Sequence, residues 1–333
     1  MLKIIIKIIF VSFLFFLPVH SEESNEFDVW LNSFKIVAKK EGISNETINN
    51  YLVNAQFLPK VIEYDRWQPE FYEDTDTYVK KRANNEKVTK GKLFYYANKN
   101  LINEIEKKFN VEKELLLALM GIETNFGKYL GKMDIISSLA TLSFDKRRSK
   151  FFTNELIALL KLIDNKVINP NILFGSWAGA LGNFQFMPTT IKKYAIDYNK
   201  NNKIDLKNID DSIASAANYI NKMGWVKGDP CFLKINLKDN IPKKYLNSSA
   251  KKIKNRAKFK KLKKFIKNYE NYNLSENILS AIIIPDKDII PNSQNLSPAF
   301  LVFHNYELIL KWNRSLRFAL AVCTLKNKIK NEI

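Results

Sequence analysis

The chain has 333 residues, 53 Lys and Arg against 34 Asp and Glu, and a formal net charge of +19. A hydrophobic fraction of 46% and 13% aromatics exclude a disordered chain and give ample material for a large core. Only two histidines, His20 and His304, are present, which excludes His-rich metal centres and leaves a histidine-activated nucleophile to rest on His304 alone.

The first element in the chain is a targeting signal. Lys3 and Lys7 precede the apolar run Ile8–Val19, followed by His20-Ser21-Glu22-Glu23. A basic start, a short apolar core and small residues at Val19 and Ser21 predict a signal peptide over residues 1–21, cleaved near Ser21. The run is short for a membrane span, and no later stretch is apolar enough to make one. The mature chain is therefore expected in an exported, periplasmic space. There Cys231 and Cys323 have the option of pairing, although two separate buried thiols are the reading preferred from sequence.

Helical spacing of Trp30, Phe34, Val37 and Ala38 predicts a helix over 28–41, and Ser44–Ile48 looks like a second helix start. The stretch Val61–Phe71 is expected to be extended around Pro69. Tyr78–Lys90 is expected to be helical and interrupted at Gly91, with another helix over 92–109. Next comes the run Leu115–Ile122, eight apolar or small residues ending on Glu123, with Gly127 just beyond. Such a helix is apolar nearly all round and should be buried. A carboxyl at its end is costly to ionise, which is the setting of a proton donor near neutral pH.

Ile135–Lys161 again has helical periodicity. Gly175–Pro188 breaks it, with Gly175, Gly179 and Gly182 around Ser176, Asn183 and Gln185. That composition suits either a backbone brought close to a ligand or a Gly-rich packing turn. Asp197–Asn208 resembles a calcium loop, except that Asn202 stands where a Gly is expected and no Glu closes it. Ser212–Met223 predicts a helix. Residues 243–267 hold twelve Lys and Arg and no acid on a rough helical stripe, either a face for a polyanion or a solvated face, the latter being preferred. Ile282–Ile284 and Ala299–Phe303 read as strands, and Leu308–Leu325 as a closing helix.

Taken together, Gly121-Ile-Glu-Thr-Asn-Phe-Gly127, Leu139–Phe144 with Arg147-Arg148, Gly175–Pro188, Asp211–Tyr219, Gly224-Trp225 and the upstream Asp65–Glu70 resemble the membrane-bound lytic murein transglycosylase B family. The resemblance covers roughly residues 30–325. It implies a mainly α (α+β) fold: a lysozyme-like helical core with a smaller inserted lobe containing short strands. The corresponding division is N-terminal helices over 22–110, a catalytic core over 111–230, an inserted basic lobe over 231–298 and a C-terminal return over 299–333. It implies cleavage of the MurNAc–GlcNAc β-1,4 bond of peptidoglycan with a 1,6-anhydro product. Glu123 matches the catalytic acid/base; Ser176, Gln185, Tyr219, Trp312 and Asn313 match substrate-binding positions, as does the segment at Asn305-Tyr306. Phe318 stands where the family often has Tyr. Asp197, Asn199, Asn201, Lys203 (through its carbonyl) and Asp211 match a metal loop that here allows at most a weak structural calcium, and no cofactor is required. Glycan strands of peptidoglycan are the expected partner of a monomer peripheral to the cell wall, with no nucleic acid despite the charge. An inactive peptidoglycan-binding scaffold and a hydrolysing muramidase are the rivals; the latter needs a second carboxylate, for which Asp134 and Asp145 are near in sequence.

Overall fold

A computed structural model describes residues 19–69, 72–170, 173–287 and 296–333. Most of the expected signal peptide lies outside the described residues, as do Glu70 and Phe71.

The chain opens with α1 (Val19–Lys40), which begins upstream of the expected cleavage point, and α2 (Asn45–Thr47), which continues into a π-helical turn over Ile48–Leu52. Ser44 caps α2 through its hydroxyl, which accepts from Thr47 N at 3.1 Å. The first part of the segment expected to be extended, up to Arg66, lies instead in α3 (Pro59–Arg66), while Trp67 and Gln68 beyond it are not helical. Pro59 sits in the first turn, where its fixed φ favours a helix and its missing N–H costs nothing. The next expected helix is divided elsewhere than at the glycine: α4 (Thr75–Arg82) ends at Ala83, and Asn84 caps α5 (Asn85–Ala97). Gly91 lies inside α5, where a Cβ would meet Ile329 Cδ1 at 3.0 Å and Phe126 Cζ at 3.2 Å. It marks close packing of the helix and not its end.

After α6 (Lys99–Phe109) comes α7 (Lys113–Thr124), in which every residue from Glu114 to Gly121 is buried. The short β1 (Met133–Asp134) leads into α8 (Ile135–Phe144), and α9 (Ser149–Asp164) follows a break at 145–148, so the long expected helix is two. The ribbon partner of β1 is β2 (Phe174–Gly175). The core continues with α10 (Pro188–Tyr194) and α11 (Ile209–Lys222).

The region after 231 forms a sheet lobe. Its strands are β3 (Phe232–Ile235), β4 (Leu246–Asn247), β5 (Ala257–Lys258), β6 (Leu279–Ile283) and β7 (Ala299–Val302), with the short α12 (Phe259–Leu262) between β5 and β6. Their order is β3-β7-β6-β4, with β5 also on β6; Ile282 pairs with Leu301 on β7 and with Leu246 on β4. The stripe expected over 243–267 is therefore broken into turns, two short strands and α12. Its apolar residues Phe259, Leu262, Phe265 and Ile266 fill a second, smaller core under the sheet. Alternation along β6 and β7 divides the two cores. Ala281, Ile283, Phe300 and Val302 face the large helical core, while Ile282, Ile284, Leu301 and Phe303 face the small one. A sheet covered on both faces requires such unbroken apolar runs.

The chain returns through α13 (His304–Trp312) and α14 (Leu316–Lys330), with a break at 313–315 where one helix was expected. Ser315 caps α14 by accepting from Phe318 N at 3.1 Å. α14 packs on α7. The two cysteines, expected as separate thiols, form a disulfide with Cα atoms 6.2 Å apart. The correction has a topological cause: the sheet lobe folds back so that the entry to β3 lies against α14, a proximity that a separation of 92 residues conceals.

Candidate active site

The site is built where α7 ends. Asn125, Phe126 and Gly127 all take left-handed φ values (51°, 61° and 81°), so the helix stops in a tight turn immediately after Glu123. Thr124 ties this turn to the neighbouring Gly-rich segment: its Oγ1 donates to Asn183 O at 2.7 Å and accepts from Gly127 N at 3.0 Å. Glu123 is half-buried while the seven residues before Ile122 are buried.

Trp312, the last residue of α13, donates its indole N–H to Glu123 Oε1 at 2.9 Å. Its ring stacks on Tyr219 with centroids 5.1 Å apart and planes at 24°, and Tyr219 stacks in turn on Tyr194 at 4.3 Å. Phe186 meets both Trp312 and Tyr219 edge-on, at 5.4 and 5.8 Å. Burial, with a smaller contribution from Tyr194, pushes the Tyr219 hydroxyl up to about 12. It therefore stays a neutral group at any ordinary pH. On another side, Lys87 of α5 is near enough to feel the charge of Glu123; burial, more than Arg82 and Lys90, holds its ammonium below the usual lysine range.

The structure thus joins Glu123, Trp312 and Tyr219 in one cluster. Gln185 sits on the adjoining turn with φ of 50°, and its amide nitrogen donates to Gly182 O at 3.0 Å. Ser176 Oγ accepts from Ala180 N at 3.0 Å, closing a turn. Asn313 follows Trp312 as the cap of α13. The three glycines of this segment approach protein: a Cβ on Gly175 would meet Ala180 O at 2.2 Å, one on Gly179 would meet Leu139 Cδ2 at 2.4 Å, and one on Gly182 would meet Leu206 O at 2.3 Å. They let the turn pack tightly and so are not a ligand cradle. Asn305 and Tyr306 are also displaced from their expected place, being fully buried. The Asn305 amide holds the 226–229 turn, and the Tyr306 hydroxyl donates to Leu316 O at 2.8 Å. Phe318 is buried as well.

Asp134 caps α8, accepting from Ser137 N at 2.7 Å, and Asp145 pairs with Arg66 at 2.9 Å. Both candidates for a second carboxylate therefore have structural partners. Tyr194 and Phe186 are the neighbours that sequence reasoning missed, because both look like ordinary core positions.

The calcium-like loop is closed by its own N–H groups. Asp197 accepts from Asn201 N and Asn202 N at 3.1 and 2.8 Å. Buried Asp211 accepts from Tyr198 N, Asn199 N and Asp205 N at 2.8 to 3.3 Å. Asn202 takes φ of 67°, the conformation a Gly would supply. Among the described residues no group of three or more His, Cys, Asp or Glu is placed to hold a metal. The oxygen donors fit a weakly held calcium at best.

One carboxylate closing a buried helix, set against an aromatic wall in a mainly helical core with an inserted sheet lobe, defines a lysozyme-like protein. The chain belongs to the transglycosylase SLT domain family, which it matches over residues 26–327. It is 38% identical over 153 residues to membrane-bound lytic murein transglycosylase B of Escherichia coli K12, a match spanning 46% of this chain and 42% of that relative. Among solved structures it is similar to SltB3 of Pseudomonas aeruginosa in complex with NAG-NAM-pentapeptide (30% identity, TM-score 0.79, 91% of this chain and 79% of that one). SltB3 has also been solved with NAG-anhNAM-pentapeptide. The lytic transglycosylase Slt35 of Escherichia coli in complex with calcium matches at 26% identity and TM-score 0.74, covering 91% of this chain and 93% of that one.

Proposed function

We propose that the protein is a peptidoglycan lytic transglycosylase, cleaving the MurNAc–GlcNAc β-1,4 bond with Glu123 as sole acid and base. The observation that carries this reading is Glu123 fixed by the Trp312 N–H on an aromatic wall. Protonated Glu123 gives its proton to the leaving glycosidic oxygen. The resulting carboxylate takes the proton of the sugar's own C6 hydroxyl as that oxygen attacks the anomeric carbon. The C–O bond to the leaving sugar breaks, a C6–O–C1 bond forms, and Glu123 ends protonated, with neither water nor a second carboxylate consumed. The tethered hydroxyl has a high effective concentration. Trp312, at the end of the stack, offers a flat apolar face for a sugar ring, Tyr219 backs that face, and Ser176, Gln185 and Asn313 supply the polar rim. No cofactor enters the reaction. The NAG-anhNAM-pentapeptide bound by SltB3 supports the anhydro product. The structural partners of Asp134 and Asp145 weigh against a hydrolase.

The reading extends to an exported, periplasmic protein acting as a monomer on the cell wall in its remodelling or recycling, with the division at residues 110, 230 and 298 as its working domains. The disulfide supports an oxidising compartment, and no helix among the described residues is long and apolar enough to cross a membrane.

Purified protein should release muropeptides with 1,6-anhydro ends, lighter by one water than hydrolysis products. Glu123→Gln should lower the rate at least about 10²-fold with the fold intact. Free reducing ends in the digest, or near-normal turnover by this variant, overturns the assignment.

A further inference from the structure

Residues 231–287 hold fifteen Lys and Arg against four Asp and Glu, a net +11 within a chain of +19. Two of those acids are already engaged, Glu276 with Lys263 and buried Asp286 with Arg317. The sheet lobe is therefore the positive end of the molecule, and the fold orders its charge. Phe259, Leu262, Phe265 and Ile266 turn into the small core beneath the sheet. Lys260, Lys261, Lys264 and Lys267 fall at helical spacing on the opposite side of the same turns, and all four are exposed. None of the four has an ion pair among the described residues. The large helical core packs on one face of the sheet and this layer on the other. The four lysines thus form the outer surface of the lobe, on the side of the sheet away from the core that carries Glu123.

Like charges gathered on one face repel each other in the folded state. Elsewhere the chain relieves such repulsion with acids: Lys81 and Arg82 share Glu73, and Lys113 and Lys227 share Glu106. Here it does not, which favours an anionic partner over a merely solvated face. The type of cation selects among anions. The lobe's one arginine, Arg256, is engaged with Glu307, so the free charges are ammonium groups on flexible stems. Such point charges match a fluid array of phosphates, whereas a fixed carboxylate or phosphate is better held by the planar fork of a guanidinium. Among the described residues of the lobe no aromatic ring is exposed to stack on a nucleic-acid base. Its one exposed large apolar side chain, Leu279 of β6, stands opposite Lys258 of β5, a pairing that suits a boundary between headgroups and acyl chains.

We propose that this face docks the protein on a bilayer bearing anionic phospholipid. Clusters of about four to eight basic residues draw a protein to such a surface. Once docked, the sheet stands between the lipid and the helical core, which holds Glu123 off the bilayer and leaves it free for a polymer in the aqueous space. The docking does not depend on the catalytic reading.

The test is cosedimentation of the full protein with vesicles of phosphatidylglycerol and phosphatidylcholine in equal parts, and with vesicles of phosphatidylcholine alone. At about 0.1 M salt the anionic vesicles should bind at least about tenfold more tightly, and the gap should close near 1 M, where screening reaches in to roughly 3 Å. The variant Lys260→Glu/Lys261→Glu/Lys264→Glu/Lys267→Glu should lose at least about 100-fold in affinity for the anionic vesicles. Its circular dichroism spectrum and its release of muropeptides from soluble glycan strands should match those of the wild type. A second variant separates the face from the net charge. Lys39→Glu/Lys60→Glu/Lys107→Glu/Lys192→Glu makes the same change of charge at exposed lysines of the helical core and should keep vesicle affinity within about threefold of the wild type. Equal binding of the wild type to neutral and anionic vesicles, or an equal loss in the two variants, overturns the proposal. So does a duplex oligonucleotide that binds more tightly than the anionic vesicles at the same salt, since the face would then be a nucleic-acid surface.

Discussion

At the scale of single residues, the indole of Trp312 does two jobs that can be separated. Its N–H holds Glu123 Oε1 and its face continues the stack through Tyr219 and Tyr194. Trp312→Phe keeps most of the face and removes the donor. A hydrogen bond to a charged group contributes about 1.5–3 kcal/mol, so kcat/KM should fall about 10- to 100-fold with an unchanged circular dichroism spectrum. A variant with full activity would mean that Glu123 is positioned by other contacts. Glu123 itself was legible in the sequence, because one carboxylate ending an otherwise apolar run is unusual at any position. Its setting was less so. Trp312 follows it by 189 residues, and no local pattern announces a contact across that distance. The glycines from 175 to 182 leave two readings open in the sequence, since a residue that lets backbone approach a ligand equally lets it approach Leu206 or Ala180, and the structure takes the packing turn.

At the scale of elements, α7 is positioned by its start as much as by its end. Glu112, the cap residue, is buried and bonded to Gly228 N at 2.9 Å, to the Trp225 indole and to Lys326 of α14 at 3.0 Å. Burial pushes its carboxyl up, but the Gly228 N–H and the Lys326 ammonium outweigh that and hold it below the usual glutamate range. Its folded pKa is therefore below its unfolded one. The stability it contributes is present above pH 4.5 and is lost as pH falls through the lower folded value. Unfolding by denaturant should show this as a falling ΔG in acid. Glu112→Gln should flatten that limb and, at neutral pH, cost about 3–5 kcal/mol by leaving Lys326 buried without its partner. An acid limb identical in both proteins would assign the loss to other groups.

The Asp197–Asp211 loop belongs to the same scale. Its side-chain oxygens already accept N–H groups, so the turn holds its form without an ion. A chelator should leave the melting temperature unchanged, while calcium at about ten times a millimolar Kd should raise it by a few degrees, from roughly 1.4 kcal/mol of linkage. A melting point lowered by the chelator would reveal a tightly held metal. Helix limits are legible where a cap is plain, as at Ser44. At Asn84 a run of helix-forming charged residues, and at Ser315 apolar periodicity, continues straight across, and only the cap bonds mark the breaks.

At the scale of the whole molecule, the sheet is the joint between the two cores, and Cys231–Cys323 fastens that joint to α14. Runs such as Ile282–Ile284 announced strands, yet nothing local said that a second core lay beneath them; the basic stretch over 243–267 hid it by scattering Phe259, Leu262 and Phe265 among lysines. The bond matters for the site because α14 packs on α7, which ends in Glu123, while α13 leaves the sheet and ends in Trp312. Cross-linking residues 92 apart removes unfolded-state entropy worth about 4–5 kcal/mol. The paired replacement Cys231→Ala/Cys323→Ala should therefore lower the melting temperature on the order of 10 °C. Well below that transition the helices still meet through their apolar faces, so kcat at 25 °C should stay close to that of the wild type. Two resolved transitions in the variant, where the wild type shows one, would mean that the disulfide carries the coupling between the cores. A single lowered transition means that the shared faces of β6 and β7 are enough to make them unfold together.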